Sequence, residues 1–161
     1  MPVYDYNRLS AIRYAERWAK SRNPSFYNFD DIGGDCTNFV SQCVYAGSKV
    51  MNYTPIVGWY YNSAYDRTAS WTGVEFFYKY ITGNDRNGPF ANLVSASDIQ
   101  IGDVIQLGRF DGSFYHTLLV TDISDGRIFV SAHTLDAFNR ALDSYFYERI
   151  RFLHILGVIK N

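Results

Sequence analysis

Cysteine is scarce in this 161-residue chain, which holds only 2. They sit at Cys36 and Cys43, inside "CTNFVSQCVYAG", a stretch with helical periodicity. A helix sets residues at that separation ~10.5 Å apart, whereas a disulfide needs Cα atoms within ~7 Å. Free thiols are therefore expected. No staple is required, because a single domain of this size buries roughly two-thirds of its unfolded surface. An excess of one charge is missing as well. The 15 basic and 16 acidic residues leave a formal net charge of −1. That excludes the basic stripe of a nucleic-acid protein, and no run of like charges marks a tail or a membrane patch. No apolar run approaches the length of a membrane span, so neither nucleic acid nor membrane insertion is expected. The first residues, "MPVYDYNRLSAIRYAERW", scatter charges where a secretory signal would be apolar. A cytoplasmic location is the expectation, with the cell wall or exterior as the alternative if another route exports the chain. There is no repeat, no low-complexity segment and no phosphate-cradling glycine loop. No close ligand pair such as C-x-x-C or H-x-x-x-H is present, so no metal or other cofactor is expected. Ser131 lies near His133, but the G-x-S-x-G turn of a serine hydrolase is absent.

Aromatic residues are plentiful, at 18%. They build cores, and also grooves that hold peptides or sugars. Periodicity suggests a first helix over about residues 6–21, capped by Asp5. A glycine-containing loop leads to a second helix, which starts near Cys36 and ends at Gly47. Residues 48–72 read as a long loop carrying Trp59, Tyr60, Tyr61 and Trp71, which either wall a cleft or belong to the core. A third helix is expected over 73–82. From residue 103 the period changes to two, giving strands at 103–108, 114–123, 127–134 and 149–159. "SDGR" joins the middle pair as a tight hairpin. Helices followed by strands predict an α+β domain, with an antiparallel sheet packed on the early helices.

Cys36 at a helix start would lie near unpaired N–H groups and the positive end of the helix dipole, which favour thiolate. Gly33 and Gly34 would let the chain turn sharply before it. Cys43 reads as core. A cysteine nucleophile needs an imidazole, and His116 and His133 lie on the two hairpin strands. With a two-residue loop, directly opposed residues have numbers adding to an odd total, as 116 and 133 do. The rings would then share a face, ~5 Å apart if opposed or ~7–8 Å if diagonal. A three-residue loop without a compensating bulge would put them on opposite faces. The alternative is that both are half-buried strand histidines. His154, in an apolar strand, reads as a core or edge residue.

"GDCTNFVSQCVYAG" followed by "GDVIQL", "FYHTLLVT" and "VSAHTLD" resembles the family called putative amidase domain, a bacterial branch of the papain-like superfamily akin to NlpC/P60 peptidases and CHAP amidases. The resemblance covers nearly the whole chain. It implies a papain-like fold with Cys36 as nucleophile, His116 as base, and His133 as the third residue orienting His116. Asp136 and Asn139 are lesser candidates for that third role. Asp35 and Asn38, beside the cysteine, either touch substrate or fix the turn, and Asp103 caps the turn into its strand. Trp59 and Tyr60 are expected among the residues contacting substrate. The implied reaction is hydrolysis of an amide through a thioester, with a peptide or peptidoglycan fragment as substrate. A binding module that kept the fold without catalysis is the alternative.

Overall fold

A computed structural model describes residues 1–161. After a short strand β1 (Val3–Tyr4) come α1 (Arg8–Trp18) and α2 (Cys36–Ser48). The α1 cap is Asn7, whose Oδ1 accepts from the Ser10 N–H at 3.0 Å, and not Asp5. The segment expected to be one long loop holds a small hairpin, β2 (Tyr61–Ser63) and β3 (Asp66–Arg67), and a one-turn helix, α3 (Ala69–Thr72). Then follow α4 (Val74–Gly83), β4 (Gly88–Val94), β5 (Val104–Gly108), β6 (Phe114–Ser124), β7 (Arg127–Ala132), β8 (Ala137–Ala141) and β9 (Arg149–Ile159).

The α+β expectation holds. The main sheet is antiparallel, in the order β1-β9-β5-β6-β7-β8, with β4 on the other edge of β9. β4 escaped the sequence reading because it begins at Gly88-Pro89, residue types that ordinarily break a strand. Proline has no N–H for a ladder and is tolerated here because β4 pairs only with β9 and so lies at an edge.

The two sheet faces bury different cores. Alternate residues of β5, β6 and β9, among them Val104, Leu119, Leu153 and Ile155, pack under the helices against Phe39, Val40, Trp59 and Trp71. The intervening positions, Ile105, Leu107, Leu118 and Val120, form a smaller core with Val130 and Leu142. Asp103 stitches the sheet to α1. Its carboxylate accepts from Arg8 at 2.7 Å, from the Ile155 N–H at 2.9 Å, and from the Gln100 N–H that closes the turn before β5. His154, on the interior strand β9, bonds the same carboxylate through Nδ1 at 2.8 Å and so has a structural role.

Candidate active site

Gly33 and Gly34 adopt left-handed φ values of 82° and 96°, and the chain turns there into α2 with Cys36 as its first residue. The N-cap residue Asp35 gives the helix no side-chain cap. Its carboxylate is engaged elsewhere, so the first N–H groups of α2 keep no helical acceptor. The neighbouring Thr37 hydroxyl meets the Thr117 hydroxyl at 2.8 Å, which in turn accepts from Gln106 at 3.2 Å. These bonds fix the start of α2 against the open flank of β6, beyond the last β6–β7 pair at Leu119 and Ser131.

A cavity of about 330 Å³ opens at this flank, lined by both Cys36 and His116. Cys36 is 7% exposed, so its sulfur is screened but lies on the cavity wall. The expectation of a thiolate is not met. Burial pushes the Cys36 thiol up, and the Asp35 charge adds to this, while hydrogen bonding from the Thr117 backbone and from Thr37 opposes it. The His116 ring moves the other way. Burial, helped by the Arg140 charge, lowers it to about 4. The resting pair at neutral pH is therefore thiol and neutral imidazole. Two β-bulges flank His116: the β5–β6 register slips between the Leu107–His116 and Gly108–Phe114 pairs, and the β6–β7 register slips between Val120 and Asp122. Bulges of this kind re-aim side chains next to active sites.

The second bulge overturns the placement of His133. Next to the Asp125-Gly126 turn the partner numbers add to an odd total, as in Ser124–Arg127 and Asp122–Phe129, but beyond the bulge the total is even, as in Leu119–Ser131. That one-residue slip sends the two histidines to opposite faces. His116 shares the smaller-core side, its ring 6.0 Å from that of Tyr145. His133 lies under the helices, stacked on Phe39 at 4.1 Å. Its Nδ1 meets Asp35 Oδ2 at 2.6 Å, and its Nε2 donates to the Trp18 carbonyl at 2.8 Å. Neither nitrogen is available to orient His116. With His133 bound to it, Asp35 is held below the usual carboxylate range despite its burial. A carboxylate and a carbonyl both accept, so the His133 ring is fully engaged between Asp35 and the Trp18 carbonyl and ties the start of α2 to the end of α1.

The other expected site residues disperse. Asp35 and Asn38 fix the turn: Asp35 Oδ1 accepts from the Phe29 N–H at 2.8 Å and from Asn38 at 2.9 Å, while Asn38 also donates to the Tyr27 carbonyl and accepts from the Trp71 indole. Trp59 is fully buried, its indole on Ser41, and Tyr61 and Trp71 share that core. Tyr60 directs its hydroxyl to Asp66, away from the cavity. Asp136 pairs with Arg22 at 2.8 Å and Asn139 lies exposed on β8, so neither supplies the third group. The three histidines and Cys36 form no metal-ligating group, and no helix is long and apolar enough to cross a membrane.

The sequence reading missed Tyr115, Leu135, Arg140, Tyr145 and Phe146 on the cavity wall. Leu135 offered one signal only in three dimensions: with Thr134 it adopts left-handed φ, 58° and 63° respectively. Its side chain is 84% exposed over the cavity. Such a conformation costs a side-chain-bearing residue roughly 1–2 kcal/mol. Leu135→Gly is expected to raise stability by about 0.5–1 kcal/mol in urea titrations, net of the entropy that glycine adds to the unfolded chain, while weakening ligand binding.

Comparison with known proteins places the chain in a family. A family model described as "Putative amidase domain" matches residues 5–156. Two proteins of Bacillus subtilis (strain 168) are similar: "Uncharacterized protein YhbB", 34% identical over 140 residues, and "Uncharacterized protein YjcM", 30% identical over 147 residues. The alignments cover 84% and 85% of this chain but 43% and 33% of those relatives, so the chain spans less than half their length. No solved structure is significantly similar.

Proposed function

Since the chain belongs to the putative amidase domain family, we propose that it is a cysteine-dependent amide hydrolase of papain-like type, akin to NlpC/P60 and CHAP enzymes. One observation carries the reading: Cys36, at the uncapped start of α2, and His116 line the same cavity. As substrate carbonyl reaches the sulfur, His116 takes the thiol proton and a C–S bond forms. The tetrahedral oxyanion is held by N–H groups at the start of α2, where each such donor is worth on the order of 3 kcal/mol. Collapse expels the amine, which takes the proton from the imidazolium, and leaves a thioester on Cys36. His116 then activates water, and the carboxylic acid departs. Neutral His116 is the right form for a base, and a raised thiol makes proton transfer concerted with attack. Peptides, peptidoglycan stem peptides included, are the substrates to assay first.

The pH profile tests this pairing. His116 must be neutral to accept the proton and is charged only below about 4. The expected kcat/KM therefore rises through that pH and stays flat across neutrality. Alkylation of Cys36 by a neutral reagent follows thiolate instead and climbs only in alkaline solution, because the thiol is raised. A rate limb near pH 6.5, the ordinary histidine value, would count against a buried neutral base. The competing reading, a non-catalytic binding module, draws on the raised thiol and on the missing hydrogen-bond partner of His116. It predicts no amide cleavage by any substrate, and Cys36 alkylation indifferent to His116→Ala.

A further inference from the structure

Arg140 is the one Lys or Arg side chain on the cavity wall, and no carboxylate of the protein pairs with it. Three other partly buried arginines find acids: Arg8 meets Asp103 at 2.7 Å, Arg22 meets Asp30 and Asp136 at 2.8 Å, and Arg151 meets Glu75 at 3.0 Å, while Arg67, which meets none, lies away from the cavity. Arg140 is instead held by neutral groups. Its Nε donates to Ser144 Oγ at 2.8 Å and one Nη to the Ser144 carbonyl at 3.1 Å. The guanidinium carbon lies 3.9 Å from the centre of the Tyr145 ring. These contacts fix the plane of the fork, and the Nη1 donors bond nothing in the protein. Tyr145 contributes a second unanswered donor, because its buried hydroxyl meets no acceptor of the protein and the Arg140 guanidinium beside it can only donate. A buried, unsatisfied hydroxyl costs roughly 1–3 kcal/mol, so its persistence beside an unpaired cation calls for an acceptor that is not part of the chain. Both groups donate hydrogen bonds, one carries full positive charge, and a guanidinium fork matches a carboxylate. The same cavity carries His116, whose ring already responds to the Arg140 charge. Leu107, Leu135 and Phe146 add apolar surface to the same cavity.

We propose that Arg140, with Tyr145 beneath it, is a carboxylate subsite, and that the substrate is an amide whose scissile bond is flanked by an amino-acid residue bearing a free carboxylate. The proposal rests on the cavity being the place where Cys36 attacks. The carboxylate takes no part in bond making. It docks on Arg140 and sets the carbonyl before the sulfur, while the apolar wall receives the neighbouring side chain. Arg140 is thereby a specificity-determining residue.

The test uses the thiol as its own reporter. Cys36 is alkylated with two matched pairs, iodoacetate against iodoacetamide and 3-bromopropionate against 3-bromopropionamide. The anionic-to-neutral rate ratio is normalised to that of glutathione, which cancels the thiolate fraction common to both reagents. The expected normalised ratio exceeds unity by on the order of 10-fold, as a charge-assisted hydrogen bond allows, and shrinks with added salt. Arg140→Gln returns it to unity, Arg140→Lys retains part of it, and Tyr145→Phe lowers it a few-fold. Two arms separate the source of the carboxylate: protection of Cys36 from iodoacetamide by N-acetyl-alanine marks a main-chain carboxylate, and protection by N-acetyl-glutamate α-amide marks a side-chain one. A wild-type ratio of unity, a ratio unchanged in Arg140→Gln, or protection by neither compound overturns the subsite. The hydrolase reading fails by a different result, amide cleavage that survives Cys36→Ala or is wholly absent, and the charge ratio does not enter it.

Discussion

Replacing Cys36 by alanine is expected to lower amide hydrolysis by on the order of 10⁴-fold or more while leaving the fold intact. The sulfur is the strongest nucleophile on the cavity wall and, in the proposed reaction, the atom that forms the acyl bond. His116→Ala is expected to lose roughly 10²–10⁴-fold, the usual worth of a positioned general base. Residues that act as one unit lose activity non-additively, so the double variant should be no slower than Cys36→Ala alone. The measurement is release of free amine from a peptide panel by purified wild-type and variant proteins, with circular dichroism to verify folding. The site tolerates the change structurally: Cys36 lies on a cavity wall, and its contact with the Thr37 hydroxyl is a weak 3.8 Å approach. Cleavage that persists in Cys36→Ala would remove the cysteine mechanism, and multiplying losses in the double variant would mean that the two residues act in separate steps.

Asp35→Ala is expected to have the largest effect on stability, a loss of about 3–5 kcal/mol, because it removes the one buried acceptor shared by the His133 ring and two further donors. That is a large share of the 5–15 kcal/mol typical of whole domains. The side chains of Asp35 and His133 are 1% and 2% exposed, so water does not replace the missing partner. The Phe29 N–H and the Asn38 amide also lose their acceptor. His133→Gln should cost less, since Asp35 keeps those two donors and Arg22 at 3.6 Å. Asp35 is held below its ordinary value, so its contribution is fully present at neutral pH. It disappears only as pH falls below about 4, through the folded-state value. Urea titrations at pH 7 and pH 3 should show the wild-type advantage over Asp35→Ala shrinking on acidification. A pH 7 difference under about 1 kcal/mol would mean that the pair is not the clamp at the start of α2. Because His133 does not touch His116, His133→Gln should leave the acid limb of kcat/KM where it is. A shifted limb would restore His133 to the catalytic unit.

The contrast between these two histidines shows where sequence reading stops. The hairpin turn was legible, because Asp-Gly supports the left-handed φ values of 52° and 74° at Asp125 and Gly126. The register next to that turn also followed from it. The bulge at Thr121 did not. No residue type demands it, and the Thr121 hydroxyl contact with Ser131 at 2.8 Å exists only once the strands are paired. One unpaired residue was enough to exchange the faces of every position beyond it.

The helices α1, α2 and α4, the strands β5, β6, β7 and β9, the free thiols, the glycine turn before Cys36 and the candidacy of Cys36 and His116 were legible in the sequence, because periodicity, turn chemistry and motif spacing are local properties of the chain. Tertiary structure alone decided the rest. It gave His133 to Asp35, moved Trp59 and Asn38 into the framework, and brought Arg140 and Tyr145, from a stretch with no readable period, to the cavity. It also set the protonation of the reacting pair, since desolvation depends on everything packed around a group and outweighs what its own helix end supplies.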